Sequence, residues 1–331
     1  MKQRRSRYDV TNTVNLHDVT STCDAVTQTL CNAITGLDTS LIKRAFEDCY
    51  RLFAGEYPKY LPCDMLYHDL QHTFDVTLAF SRLLDGYQRV ADREQGIEPR
   101  LAQLGVITAL FHDAGYIRRQ DDRQHHNGAE YTLIHVSRGA EFLRRYLHRL
   151  DLGEYAQVAA NLVHYTGVER APADIRLPDA KSHLVGHMLG TADLIAQMSD
   201  RCYLEKCRDR LYPEFVLGGI AVQLDRNGKE RIIYSSGEDL LRKTPAFYSG
   251  EVDHRLNTMF NKAYNYEMAH FDGERKYVNA LGQNQALLKK ALKEDNFSLL
   301  RRRPPANYGT RNFPGLENYL NRHPLKHRKF G

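Results

Sequence analysis

The sequence predicts an all-α protein: a helical bundle with one small β-hairpin in its C-terminal region. Three observations carry this. Apolar residues recur at three- and four-residue steps through most of the chain. Stretches rich in Gly, Pro and Asp separate those runs. Only the segment IAVQLDRNGKERIIY (220–234) sets β-prone runs on either side of an Asn-Gly pair, a strong hairpin signal.

The elements follow in order. Residues 1–40 read as a partly helical leader. LIKRAFEDCYRLF (41–53) forms a helix opened by Asp38. Residues 66–84 form a second helix, and 100–112 a third, started by Pro99. Helices follow at 131–150, 154–165 and 183–204. The linkers AGEYPKYLP (54–62), GYQRVADREQGIEP (86–99) and TGVERAPADIRLPDAK (166–181) carry turn chemistry. After the hairpin, helical pattern resumes at 250–268 and 274–293. The expected organisation is a leader (1–40), a helical domain (41–215), a hairpin with helices that pack on the bundle and shape a pocket mouth (216–300), and a basic irregular tail (301–331).

The chain has 331 residues, of which 42% are hydrophobic, enough for a sizeable core. Its six cysteines form no CxxC pair and read as reduced thiols. The opening MKQRRSRYDV is basic, but no apolar run follows it, and no stretch is long enough to span a bilayer. A cytoplasmic protein without a membrane partner is expected. The net charge of +5 admits phosphate-bearing substrates without requiring them. Lys206, Arg208 and Arg210 read as a charged helix face. RRR (301–303) and HPLKHRKF lack interleaved aromatics, so nucleic acid is not an expected partner. The hairpin reads as structural, with a homodimer contact as the alternative.

His-Asp dipeptides occur at His17-Asp18, His68-Asp69 and His112-Asp113. The first lies in a polar, Thr-rich leader and reads as surface. The other two sit in apolar helical segments. In YHDLQHTFDVTLAF (67–80), His68 and His72 are four apart, which on a helix places them on one face with Asp75 nearby. Leu66, Leu70, Phe74, Val76, Leu78 and Phe80 make that helix apolar on several sides. A buried histidine there needs a partner, because an unpaired polar group in a core costs about 1–3 kcal/mol.

Three more residues share this setting. His135 lies in YTLIHVSRGAEFL, His164 in AANLVHYTG and Asp193 in GHMLGTADLIAQMSD. Singly, each has a structural reading: a satisfied core histidine, a C-terminal helix cap, and an N-cap or turn residue. Together the order His, His-Asp, His, His, Asp, each in its own apolar helix, is what a dinuclear metal site in a bundle would need. Imidazole and carboxylate suit Mn, Fe, Co, Ni, Zn or Mg, and the two oxygens of Asp113 allow it to bridge two ions. A hydroxide held between two metals is a strong nucleophile at neutral pH, so no Ser or Cys is required.

These residues resemble the HD-domain metal-dependent phosphohydrolases, a helical superfamily that includes cyclic-nucleotide phosphodiesterases. YHDLQHTFDV is similar to the phosphodiesterase pattern of Tyr-His followed four residues later by a second His and then Asp-Val. LFHDAGY resembles the HD signature, ADLIAQMSD the helix with the last Asp ligand, and HVSRGAEFL and LVHYTG the additional histidines of two-metal bacterial members. The resemblance covers about residues 65 to 215.

It implies that His72, His112, Asp113 and Asp193 hold a first metal. Asp113 would bridge to a second, completed by His135 and His164. His68 would protonate the leaving oxygen, and Asp75 would orient or tune His68. The implied function is a phosphodiesterase acting on a nucleotide-like phosphoester with two divalent ions. Alternatives are an HD-type nucleotidase or nucleoside-triphosphate hydrolase, and a non-catalytic nucleotide-binding regulatory module.

The chain departs from the pattern in places. Ala114-Gly115-Tyr116 stands where the cyclic-nucleotide enzymes continue with an Asp-His-Pro context. Their base-reading glutamine has only nominal counterparts here, Gln197, Gln283 and Gln285. Further substrate contacts are expected from Arg138 and from His125 and His126, the latter pair in a polar loop that reads as surface or as a lid.

Overall fold

The computed structural model describes residues 4–224 and 229–309. It is a helical bundle with one short antiparallel hairpin. Helix α1 (Val19–Ala33) starts at Asp18, whose carboxylate accepts the Ser21 N–H. The first His-Asp pair is therefore not a free surface feature. Asp18 is a cap, and His17 hydrogen-bonds Gln71 at 2.9 Å while stacking on Tyr308. Helix α2 (Ser40–Ala54) begins one residue later than the Asp38 signal implies: Thr39 occupies the cap position. Asp38 still accepts the Ser40 N–H and O–H, from one residue further out.

Helix α3 (Leu70–Val90) is the axis of the molecule. Every residue from Leu70 to Gly86 is buried. It packs against α1, α4 (Pro99–Phe111), α7 (Ala180–Ser199) and α11 (Tyr266–His270). The contact with α11 is a close backbone approach: a Cβ on Gly86 would lie 1.8 Å from Tyr266 O. Burial on all sides forces the polar residues of α3 to find partners. Thr77 and Ser81 donate to carbonyls of their own helix. Asp85 meets the His270 ring at 2.5 Å. Arg82 donates to Asp9 at 2.7 Å and to Tyr277 Oη at 2.9 Å.

This last network ties the N-terminal leader and Tyr277, in the helix over Lys276–Lys293, to the axis. Asp9 also accepts the N–H groups of Thr11, Thr13 and Val14. Burial alone would raise its carboxyl, but Arg82 and these hydrogen bonds hold it below the usual carboxylate range. Its contribution to stability is thus present above the ordinary carboxylate range and lost as pH falls through the lowered folded value. Arg82→Ala strands a buried carboxylate. It is expected to cost about 3–5 kcal/mol, read by denaturant unfolding; a loss below about 1 kcal/mol would show that the leader is not anchored here.

The remaining helices are α5 (His135–Arg149), α6 (Ala156–Leu162), α8 (Tyr203–Lys206), α9 (Tyr212–Leu217), α10 (Gly237–Phe247) and α12 (Lys276–Lys293). One apolar core takes in residues from Val10 to Leu300, so leader, bundle and C-terminal segments share it. Strands β1 (Val222–Leu224) and β2 (Glu230–Ile232) pair with Val222 opposite Ile232. The Asn-Gly turn lies outside the described residues. Helix α10 carried no helical expectation; Ser236 caps it by accepting the Asp239 N–H. The run at 250–268 breaks into π-helical turns and the short α11.

The charged face expected after Asp193 is split: Arg208 stays half-exposed and pairs with Asp209 at 2.6 Å, while Lys206 and Arg210 turn inward. Lys206 is buried and paired with Asp200 at 2.6 Å, and Arg210 lies 3.7 Å from Asp69. Within RRR, Arg302 is held by Glu205 and Asn284. HPLKHRKF lies outside the described residues. All six cysteines are free thiols. Among the described residues, no helix is long and apolar enough to cross a membrane.

Candidate metal centre

Asp69 is the N-cap of α3 and accepts the His72 N–H. His72 therefore lies on the first turn of the axis, while His68 precedes the helix. The two histidines do not share a helix face as their spacing suggests. His68 is instead set in a bend before the helix, where the N–H groups of Leu66, Tyr67 and His68 are all accepted by Glu214 Oε1.

Helix α4 ends by delivering His112 and Asp113, and a single 3₁₀ turn (Ala114–Tyr116) follows. The described residues bring His72, His112 and Asp113 into one buried group whose potential ligand atoms all lie within 4.8 Å of one another. His72 Nε2 is 3.5 Å from Asp113 Oδ2 and 3.4 Å from Asp193 Oδ1. His112 Nε2 is 3.1 Å from Asp113 Oδ2 and 3.9 Å from Asp193 Oδ1. Four of the expected ligands thus converge from α3, from α4 and its C-cap, and from α7.

Two features fit this group to a metal ion. The first is orphaned polarity: His112 Nε2 and Asp113 Oδ2 are buried, and neither makes an aligned hydrogen bond among the described residues. Buried polar atoms without partners are costly unless something else meets them. The second is tautomer. His112 Nδ1 meets the Ala109 carbonyl at 2.8 Å, and His135 Nδ1 meets the Thr132 carbonyl at 2.8 Å. A carbonyl only accepts, so Nδ1 carries the hydrogen in both rings and Nε2 keeps a lone pair when the ring is neutral.

Charge is balanced within the site. Burial would push Asp113 up, but His112, with His68 and His72, holds it well below the usual carboxylate range. Burial would push His112 down, and Asp113 and Asp193 reverse this to about 9. A cation that binds here would replace that proton on His112. His135 is pushed down by burial against the pull of Asp113, so it is neutral at pH 7.

His135 Nε2 lies 3.9 Å from the other oxygen of Asp113. His164 is buried and lowered to about 4, by burial and then Arg170, but no hydrogen bond or ion pair joins it to Asp113 or His135 among the described residues. Its place in a second metal site is thus less developed than that of His135.

The geometry revises several assignments. Asp75 does not orient His68. It lines a small polar cavity with His72, Asp200 and Lys206, and burial raises its carboxyl to about 8. The orienting group is Glu214, whose Oε2 meets His68 Nδ1 at 2.6 Å. Burial would lower His68, yet Glu214, with Asp113 and Asp193, lifts it to about 9. Arg138 is engaged by the protein: it donates to Gly115 O at 2.7 Å and to Ile117 O, with its guanidinium over the Tyr131 ring. His125 is tied to Asp122 and Tyr131, and the His126 N–H to Glu130; no hydrogen bond links either ring to the metal-ligand group among the described residues. Gln197 accepts from Tyr67 Oη and donates to Asp193 O, so its amide is already engaged at both ends. Gln283 and Gln285 are exposed on α12.

Sequence reasoning also missed Tyr116. Its ring stacks on His68 at 4.7 Å on one side and on His135 at 4.2 Å on the other. Gly115 makes that sandwich possible, since a Cβ there would sit 1.7 Å from His135 O. Gly115→Ala is expected to push α5 away and destabilise the fold by about 3 kcal/mol in thermal or denaturant unfolding. An unchanged midpoint would mean that the turn and α5 separate freely.

Fold and site together define a helical protein with a buried His/Asp group able to hold a metal ion. The chain belongs to the Npun_R2479-like family, whose model matches residues 56–284. That span includes His68, His72, His112, Asp113, His135, Asp193 and Glu214. No curated protein and no solved structure matches the chain.

Proposed function

We propose that this protein is an HD-type metal-dependent phosphohydrolase that cleaves a phosphodiester. One observation carries the reading: a buried His72, His112, Asp113 group with Asp193 beside it lies close to a histidine, His68, that is not needed as a ligand and is fixed by its own carboxylate. When bound there, a divalent cation supplies Lewis acidity to the phosphoryl oxygens.

The chain's residues supply the proton chemistry. Glu214 accepts from Nδ1–H of His68, which leaves Nε2 as the free nitrogen. With a value of about 9, the ring is charged at neutral pH and Nε2–H is a donor. Water forms the new bond to phosphorus, the bond to the alcohol oxygen breaks, and Nε2–H protonates that oxygen. The proton released by water restores His68 at the end of turnover. Tyr116 holds the ring by stacking.

The test is elemental analysis of protein purified without chelator, with bis-p-nitrophenyl phosphate hydrolysis measured on the same sample. At least one equivalent of transition metal with diesterase activity supports the reading. Neither metal nor activity after addition of Mn²⁺ would overturn it.

A further inference from the structure

We infer that the cavity behind His68 receives an uncharged, apolar ring carried by the alcohol that the phosphoester releases. This rests on the phosphohydrolase reading and deepens it. The cavity, about 230 Å³, is bounded on the metal side by Tyr67, His68, Tyr116 and Gln197. Its other walls come from segments that the metal group does not use. Tyr203, Leu211 and Phe215 come from the stretch after α7, and Tyr234, Leu240 and Phe247 from the hairpin end and α10. His68 therefore separates the metal ligands from this space. An alcohol oxygen within reach of its Nε2 has the organic body of the alcohol on the cavity side.

The walls decide what that body is. They are mainly aromatic and aliphatic, and no carboxylate lines them among the described residues. Both lining cations are already paired: His68 is held by Glu214 at 2.6 Å, and Lys243 by Asp239 at 2.9 Å and by Ile233 O at 2.6 Å. The Gln197 amide is engaged at both ends, and the Thr244 hydroxyl donates to Leu240 O at 2.9 Å. The lining hydroxyls are mostly engaged too, Tyr67 with Gln197, Tyr116 with Thr132 and Tyr203 with Cys207, so a nucleobase would bury several donors and acceptors against groups that already have partners, and each unmet edge weakens binding. An apolar ring loses nothing by the same burial and gains the apolar area. Size agrees: an apolar cavity of about 150 Å³ accepts benzene, so this one takes a substituted ring or a fused bicycle. Phe247, 47% exposed at the rim, is an aromatic that such an occupant would cover.

The experiment is calorimetric titration of the full-length protein, stripped of metal and reloaded, with 1-naphthol and with adenosine. 1-Naphthol is expected to bind one to one in both states, and adenosine at least about tenfold more weakly. Phe247→Ala should weaken 1-naphthol by about tenfold, the loss of roughly half a buried ring face. 1-Naphthol should also inhibit bis-p-nitrophenyl phosphate hydrolysis competitively. Equal or tighter adenosine binding overturns the assignment in favour of a nucleoside. So does a failure of 1-naphthol to bind, or binding that Phe247→Ala leaves unchanged. Binding of 1-naphthol by a metal-replete protein that hydrolyses no phosphoester would leave the ring site standing and overturn the phosphohydrolase reading instead.

Discussion

Asp113→Ala is expected to yield a folded protein that retains no metal and loses phosphodiester turnover by more than about a hundredfold, because even groups that only support ligands cost 10- to 100-fold in metal affinity or activity. The reason is geometric. Asp113 Oδ2 lies 3.1 Å from His112 Nε2 and 3.5 Å from His72 Nε2, and Oδ1 lies 3.9 Å from His135 Nε2. Three imidazoles surround one carboxylate, and no other residue shares that position. Asp113→Asn is the companion variant, since it keeps the shape and removes the charge. It should fold and likewise fail to retain metal. Metal content by elemental analysis, thermal unfolding of the stripped protein and turnover are read on each variant. Full metal content in either would sink the ligand assignment, whatever the effect on rate.

His68→Ala is expected to do the opposite with the metal. The ion should remain, and turnover should fall by about 10²–10⁴, the usual worth of a positioned proton donor. Loss of metal from this variant would make His68 a ligand and remove it from the proton role. Glu214→Gln tests the same group through pH. A general acid works only while protonated, so the rate falls as pH rises past its pKa. Glu214 is the chief group lifting His68 to about 9. With the carboxylate gone, the alkaline limb of the pH–rate profile should move down toward the ordinary histidine range. An unmoved limb would mean that Glu214 merely caps the backbone of residues 66–68.

The candidate ligands were legible in the sequence because each stands in an apolar run where a polar side chain needs a reason. His72, His112, Asp113 and Asp193 do converge. Spacing misled where a cap intervened: Asp69 starts α3 and leaves His68 outside it, although four residues separate His68 from His72. Arg138 looked like a phosphate contact because its sequence neighbours do not reveal the carbonyls of Gly115 and Ile117 that it serves. Asp75 looked like the partner of His68 because it is near in sequence. The true partner, Glu214, is 146 residues away, and nothing local in YPEFVL points back to residues 66–68.

The sequence by itself determined the helical class, the approximate course of most helices and the residue types of the candidate metal group. These depend on local periodicity, on turn chemistry and on the cost of burying a polar side chain, and all three act within a few residues of each other. Only the tertiary structure decided which carboxylate locks His68, that Tyr116 is sandwiched between His68 and His135, and that an apolar cavity opens behind them. Those outcomes depend on how α9 and α10 pack over the segment before α3, and on how the turn after α4 packs against α5. Contacts between surfaces so far apart in the chain leave no periodic trace in either segment alone.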